Sequence, residues 1–404
     1  MKYIIVLGDG MADEPIESLG GKTPLQVAYT PTLDFLAKNG RVGKLETVPE
    51  GFHPGSEIAN LSVLGYDVTK VFEGRGSLEA ASMGVDIASD EMAMRCNLIC
   101  IEDGKIKNHS AGHISNEEAT ELIEYLQREL GDNKISFHPG ISYRHLLKIK
   151  NADKRVLCTP PHDVPGTMFR NVLVKPQVDE AVETAELMND LILKSQALLS
   201  AHPINKKRIE EGKDAANSIW PWSPGYKPSM IPLSQLYGIN KGVVISAVDL
   251  IRGIGVYAGL TPIIVDGATG LYDTNYEGKV SAAINALQND VDFVFLHVEA
   301  SDEAGHEGDV ALKVKTIEYL DNRILRPLVE SLDTINDDVA IAVLPDHPTP
   351  CRLRTHTSDV VPFLIYRKGI LADEVSTFDE ISSKRGSYGV LKTVDFIKQL
   401  IDNN

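Results

Sequence analysis

Tryptophan, cysteine and long apolar runs are all scarce in this chain, and so is positive charge. Four cysteines in 404 residues, at Cys96, Cys100, Cys158 and Cys351, make no disulfide framework and no C-x-x-C pair. A reducing compartment is therefore expected. No window approaches the roughly 18 apolar residues that a membrane helix needs. The first apolar run, Tyr3 to Leu7, is soon stopped by Asp9, so no leader is expected either. Lys and Arg number 40 against 57 Asp and Glu, a net charge of −17, which argues against nucleic acid or an anionic membrane as partner. An anionic substrate then has to be held by a few focused cations, of which a metal ion is the most effective. With 43% hydrophobic and 24% charged residues, the chain reads as globular, soluble and cytoplasmic rather than disordered.

What the chain has in quantity is short apolar runs that end in polar or glycine-containing turns. Tyr3 to Leu7 runs into Gly8-Asp9-Gly10, 242–248 into Asp249, 262–265 into Asp266, and 292–298 into Glu299 and Asp302. Likewise 339–344 runs into Pro345-Asp346-His347, and 361–366 into Arg367. Runs of this kind predict strands buried on both faces, as in a mostly parallel sheet. Helix-like stretches lie between them at 32–39, 279–288 and 312–332. The alternation predicts a layered α/β core that binds its ligand beyond the carboxyl ends of the strands. The middle differs in texture. Helical patterns at 116–130 and 178–199 are joined by the proline-rich links Thr159-Pro160-Pro161-His162 and Trp220-Pro221-Trp222-Ser223-Pro224. The simplest reading is a core of 1–85 and 241–404 with a second α/β unit, 86–240, inserted at hinges near 84–89 and 237–241.

Metal-type ligands stand just past the apolar runs, at Asp9, at Asp302 and His306, at Asp346 and His347, and at His356. Carboxylate oxygens beside imidazole nitrogens suit Zn²⁺ or Mn²⁺, and Mg²⁺ less well. Asp9 alone reads first as a turn cap. Asp302 and His306, at i and i+4, share one face of a helix. Asp346-His347 ends a buried strand with two groups that demand solvation. Six such side chains at one end of a sheet suit two ions better than one. Ser56, after Pro54-Gly55 and ahead of Ile58, Leu61, Val63 and Leu64, has two readings. It is either a helix N-cap, or a metal-activated nucleophile at a helix N-terminus that receives negative charge.

Taken in order, Gly8-Asp9-Gly10, Pro54-Gly55-Ser56-Glu57-Ile58-Ala59-Asn60, Glu73-Gly74-Arg75-Gly76, Asp302-Glu303-Ala304-Gly305-His306 and Pro345-Asp346-His347 resemble the cofactor-independent phosphoglycerate mutases of the archaeal-type branch. The resemblance runs along essentially the whole chain. It implies an alkaline-phosphatase-like core, a mostly parallel sheet between helices, with an inserted α/β cap. It implies a glycolytic isomerase that interconverts 2- and 3-phosphoglycerate, a small phosphorylated substrate, through a transiently phosphorylated Ser56. Two divalent metal ions are implied, manganese first, with zinc, cobalt and magnesium as alternatives. One would be held by Asp302, His306 and His356, the other by Asp9, Ser56, Asp346 and His347. Oligomeric state stays open.

The same resemblance points to substrate contacts. His113, in Asn108-His109-Ser110-Ala111-Gly112-His113, and Arg144, in Ser142-Tyr143-Arg144-His145, would grip the substrate, while Lys279 would neutralise its phosphoryl group. Each also reads as a turn histidine or a solvated surface charge. Arg75 and Trp222 complete the expected set. One segment departs from the family. Where an Arg-Gly-x-Gly-like stretch usually follows Ala-Asn, this chain has Ala216-Asn217-Ser218-Ile219-Trp220-Pro221-Trp222-Ser223-Pro224-Gly225, with both of its tryptophans. The change reads as a packing cluster whose missing charge comes from a neighbour, or as a changed acceptor. A homoserine-kinase-like branch fits the second reading, since homoserine's ammonium can rest on an aromatic face. No P-loop or kinase glycine loop is present.

Overall fold

The strands Lys2–Gly8, Phe293–Val298 and Val339–Leu344 bury nearly every side chain, because helices cover both faces of the sheet they form. The computed structural model describes residues 1–401. Its larger sheet has eight strands in the order Thr261–Ile263, Gly242–Ile245, Phe293–Val298, Lys2–Gly8, Val339–Leu344, Val361–Tyr366, Arg41–Glu46 and Val390–Lys392. Only Val361–Tyr366 runs against the others. The expected α/β core with a mostly parallel sheet is present. Ile4, Val6, Val294, Leu296, Ile341 and Val343 face the helices Pro31–Lys38 and Tyr276–Gln288, contributing Leu33, Leu36, Val280 and Leu287. On the other face Phe363 meets Phe396 of Thr393–Ile401 edge to face, with centroids 5.2 Å apart.

The helical pattern at 312–332 is one rod with an irregular middle: helix Val310–Tyr319, a π-helical Leu320–Leu325, then helix Arg326–Ser331. The π segment carries Asp321, whose carboxylate accepts from the backbone N–H of Thr32 (3.3 Å) and Leu33 (2.7 Å). Those N–H groups open Pro31–Lys38, a helix whose own Thr30 makes no side-chain cap. A distant carboxylate does the work of a local cap.

The chain divides into two compact units, Met1–Phe72 with Ser229–Asn404, and Glu73–Pro228. These boundaries fall before the hinges expected at 84–89 and 237–241. The reason is helix Arg75–Ser82, which the expectation left with the core: its Ala80 packs with Ile87, Ala93 and Leu146 of the inserted unit. That unit is an antiparallel five-stranded sheet built on the long central strand Glu91–Glu102. The helices Asn116–Leu130 and Val182–Ala201 bury Leu122, Leu126, Met188 and Ile192 against its Met92, Met94, Cys96 and Leu98. Among the described residues, no helix is long and apolar enough to cross a membrane.

Candidate active site

Parallel strands deliver their carboxyl ends to one edge of the sheet, and the polar residues that follow them meet there. Asp9 follows Lys2–Gly8, Asp346 and His347 follow Val339–Leu344, and Asp302 lies in the helix Ala300–Glu307 after Phe293–Val298. Gly10 makes the first turn possible. Its φ is +59°, and a Cβ there would stand 2.5 Å from Asp302 Oδ1 and from Thr349 Oγ1, so only glycine fits.

Ser56 is the first residue of the helix Ser56–Val63, and Gly55 occupies the cap position. Its hydroxyl lies 3.2 Å from His347 Nε2 and 3.5 Å from Asp9 Oδ2. The N-cap reading of Ser56 is thereby answered. Asn60, one turn on, donates to Asp346 Oδ2 and to the Ser56 carbonyl, both at 2.9 Å.

Three imidazoles are oriented alike. His306 Nδ1 is 3.0 Å from the Arg354 carbonyl, His356 Nδ1 3.3 Å from the Pro54 carbonyl, and His347 Nδ1 3.3 Å from Thr349 Oγ1. The Thr349 hydroxyl donates to Asp302, so it accepts from His347. Each Nδ1–H is thus committed outward, and each Nε2 lone pair turns inward. His306 and His356 bring these lone pairs within 2.9 Å of one another, and Asp302 oxygens stand 3.2 and 3.4 Å from them. His347 Nε2 faces Asp346 Oδ2 at 3.4 Å and Asp9 Oδ1 at 3.6 Å. Acceptors facing acceptors at such distances call for a cation among them.

The electrostatics agree. Burial, then the carboxylates of Asp346, Asp302 and Glu299, raise the Asp9 carboxyl well above its usual range. Its Oδ1 is buried without a hydrogen-bond partner. The Asp302 carboxylate favours positive charge at these two rings: it raises His306 to about 9 and raises His356 against the effect of burial, so a proton on Nε2 is what a bound cation would displace. Asp302, His347 and His356, and separately Asp9, Asp346 and His347, have ligand atoms within 4.8 Å of one another. The donor set fits divalent metal ions.

Sequence reasoning left out His297, which sits fully buried in Phe293–Val298 with Nε2 2.8 Å from Asp9 Oδ2. The signal was there: an imidazole inside an unbroken apolar run. Lys279 is also buried, and its ammonium donates to the His297 carbonyl at 3.3 Å. Burial lowers its pKa to about 8 despite the Glu299 carboxylate. The surface-charge reading of Lys279 is gone.

The other expected substrate residues lie in the inserted unit. Arg75 pairs with Glu79 at 3.2 Å, and Glu79 also holds Arg95 at 3.3 Å. Arg95 lies opposite Trp222 in the strand register, its guanidinium 4.6 Å above the indole, whose Nε1–H donates to Asn97 at 3.2 Å. From Trp222 a line of rings continues through His162, His109 and Tyr143. Exposed His113 and Arg144 both stand over Tyr143, at 6.3 and 5.7 Å. Arg95, His109 and His162 were not foreseen. Both tryptophans are buried, as the packing reading of their segment required.

A family model described as 2,3-bisphosphoglycerate-independent phosphoglycerate mutase matches residues 37–205. The 2,3-bisphosphoglycerate-independent phosphoglycerate mutase of Methanosarcina barkeri is 52% identical over 403 residues, 99% of each chain. The chain belongs to the 2,3-bisphosphoglycerate-independent phosphoglycerate mutase family. Among solved structures of similar fold, a protein of Pyrococcus horikoshii has a TM-score of 0.83 at 29% identity, over 99% of this chain and 96% of that one. The cofactor-independent phosphoglycerate mutase of Thermoplasma acidophilum has a TM-score of 0.68 at 27% identity, over 99% of both chains. The motifs quoted for this mutase family extend beyond the matched 37–205 on both sides, to Asp9 and to His347.

Proposed function

We propose that the chain interconverts 2- and 3-phosphoglycerate through a phosphoserine at Ser56, with two divalent cations, manganese first. The observation that carries the reading is the placement of the Ser56 hydroxyl, 3.2 Å from His347 Nε2 at the edge of two converging ligand sets. Its full-length likeness to named mutases supports the choice of substrate. Asp302, His306 and His356 would hold one cation, and Asp9, Ser56, Asp346 and His347 the other. When bound, the cations would lower the pKa of the serine hydroxyl and offset charge on the attacking and leaving oxygens.

The Ser56 oxygen forms a bond to phosphorus as the ester bond to the glycerate oxygen breaks, and that oxygen takes up a proton. After the glycerate turns, its other hydroxyl oxygen attacks the phosphoserine, the bond to Ser56 breaks, and the serine regains its proton. Lys279 offers a buried ammonium to the transferring phosphoryl group. Arg75, Arg95 and Arg144 would supply the cations for the substrate's carboxylate, with His113 as a further contact. Arg95, beside Trp222 in the departing segment, is our candidate for the missing family arginine. It also weighs against homoserine as acceptor, because a face of Trp222 already carries the protein's own guanidinium.

The test is product formation from 3-phosphoglycerate with Mn²⁺, and separately from homoserine with ATP, followed by acid trapping and mass spectrometry. Formation of 2-phosphoglycerate with phosphate on Ser56 is expected. Formation of O-phosphohomoserine without mutase activity overturns the reading.

A further inference from the structure

The mutase reading uses Asp9 as a ligand and says nothing of what sits behind it. Behind it runs a buried chain of two side chains that ends on a backbone N–H. Val248 N–H donates to Ser246 Oγ at 3.0 Å, Ser246 Oγ lies 3.1 Å from His297 Nδ1, and His297 Nε2 lies 2.8 Å from Asp9 Oδ2. Exposure of Ser246, His297 and Asp9 is 5%, 0% and 1%, so water does not compete for these bonds.

We infer that His297 is a positioning residue that sets Asp9 for cation binding, and that Ser246 sets His297. The argument is one of proton direction. Ser246 Oγ accepts the Val248 N–H and still has a hydroxyl proton to give, while His297 Nε2 faces a carboxylate oxygen at 2.8 Å, which calls for a proton on that nitrogen. That makes Nδ1 the acceptor and puts the imidazole proton on Nε2, where it is donated to Asp9 Oδ2. The opposite tautomer would set a lone pair against a carboxylate oxygen at 2.8 Å. With Oδ2 engaged by His297, the carboxylate presents Oδ1, the buried oxygen left without a partner, toward His347 Nε2. A neutral imidazole thereby fixes which oxygen of Asp9 is offered, as outer hydrogen bonds commonly orient metal-binding side chains.

This rests on Asp9 being a cation ligand, so the experiment separates the two claims. Mn²⁺ is titrated into the metal-free full-length protein in competition with a chromophoric chelator, for wild type, Asp9→Ala, His297→Leu, His297→Gln and Ser246→Ala. Asp9→Ala should weaken one cation equivalent; if it leaves both unchanged, the ligand assignment itself fails. His297→Leu should weaken that same equivalent by about 10–100-fold. His297→Gln, which keeps an N–H near the Nε2 position, should restore most of it. Ser246→Ala should fall between them. If Asp9→Ala weakens binding while a folded His297→Leu binds as wild type does, the inference is overturned. Should His297→Leu fail to fold, ¹⁵N-histidine NMR of the unaltered protein decides. The resonances absent from His297→Gln must show the Nε2–H tautomer, and an Nδ1–H tautomer refutes the inference.

Discussion

Ser56 and Lys279 are each one bond rotation or one proton away from being ordinary residues, and their surroundings decide the matter. Replacing Ser56 by Ala removes the proposed nucleophile and leaves the six other proposed ligand side chains in place. kcat should fall by about 10⁴–10⁶-fold, while Mn²⁺ binding, measured by chelator competition, persists. A variant retaining a tenth of the activity would mean direct transfer between hydroxyls. Lys279, lowered to about 8 by burial, is charged below that pH and neutral above it. Since kcat/KM reports the free enzyme, it should decline as pH rises through about 8. Lys279→Met should lose that limb and lower kcat/KM by about 10²–10³-fold. An unchanged profile would take Lys279 out of the chemistry.

At the scale of elements, helix starts are where this chain places its most exacting demands. The helix Ser56–Val63 takes glycine at its cap and so keeps its serine for the site. The helix Pro31–Lys38 lacks a side-chain cap of its own and is closed instead by Asp321, brought over by the π segment. Asp321→Ala strips two buried N–H groups of their acceptor and should destabilise the fold by about 1–3 kcal/mol. Chemical denaturation would show it as a lower midpoint at unchanged slope. An equal loss at the exposed Asp333, which caps nothing, would argue that Asp321 acts by charge alone.

Across the whole molecule, residues far apart in sequence are tied by buried polar groups. Lys313 spends its three protons on the Ala12 and Thr349 carbonyls and on Asp13. Glu380 accepts from the Asp13 N–H at 2.9 Å and the Thr23 hydroxyl at 2.6 Å. Burial pushes Glu380 up to about 7 from an ordinary 4.5. The folded chain therefore keeps a proton that the unfolded chain gives up between those values. Its contribution to stability is whole below about pH 4.5 and is lost as pH rises to about 7. Glu380→Gln carries no such penalty. Its advantage over wild type in unfolding free energy, measured by chemical denaturation at each pH, should grow from pH 5 to 7 and then level off, by an amount on the order of 1–3 kcal/mol. A pH-independent difference would show that the carboxyl is ionised throughout.

Much of this was legible in one dimension, for definite reasons. Apolar runs ending in Asp or His mark parallel strands and their ligand edge, because burial on both faces leaves polar residues no other place. So Asp9, Asp302, Asp346 and His347 could be named as candidates from residue type and position, His306 from its i, i+4 spacing to Asp302, and His356, which follows no apolar run, from residue type only. The helix Asn116–Leu130 likewise followed from its periodicity, and no tertiary contact altered its ends. What tertiary structure decided is everything that depends on which atom of a side chain faces which neighbour. Ser56 could be a helix cap until Gly55 took that place. Nothing in the residue order showed that strand pairing would set Arg95 over one face of Trp222. Helix Arg75–Ser82 could belong to either unit until Ala80 was packed against Ala93. His297 looked like one more residue of a buried strand, and only the fold put its Nε2 against Asp9. Sequence carries residue type and periodicity, and these determine burial; hydrogen bonds across nearly three hundred residues depend on register and rotamer, which are settled only when the sheet is assembled.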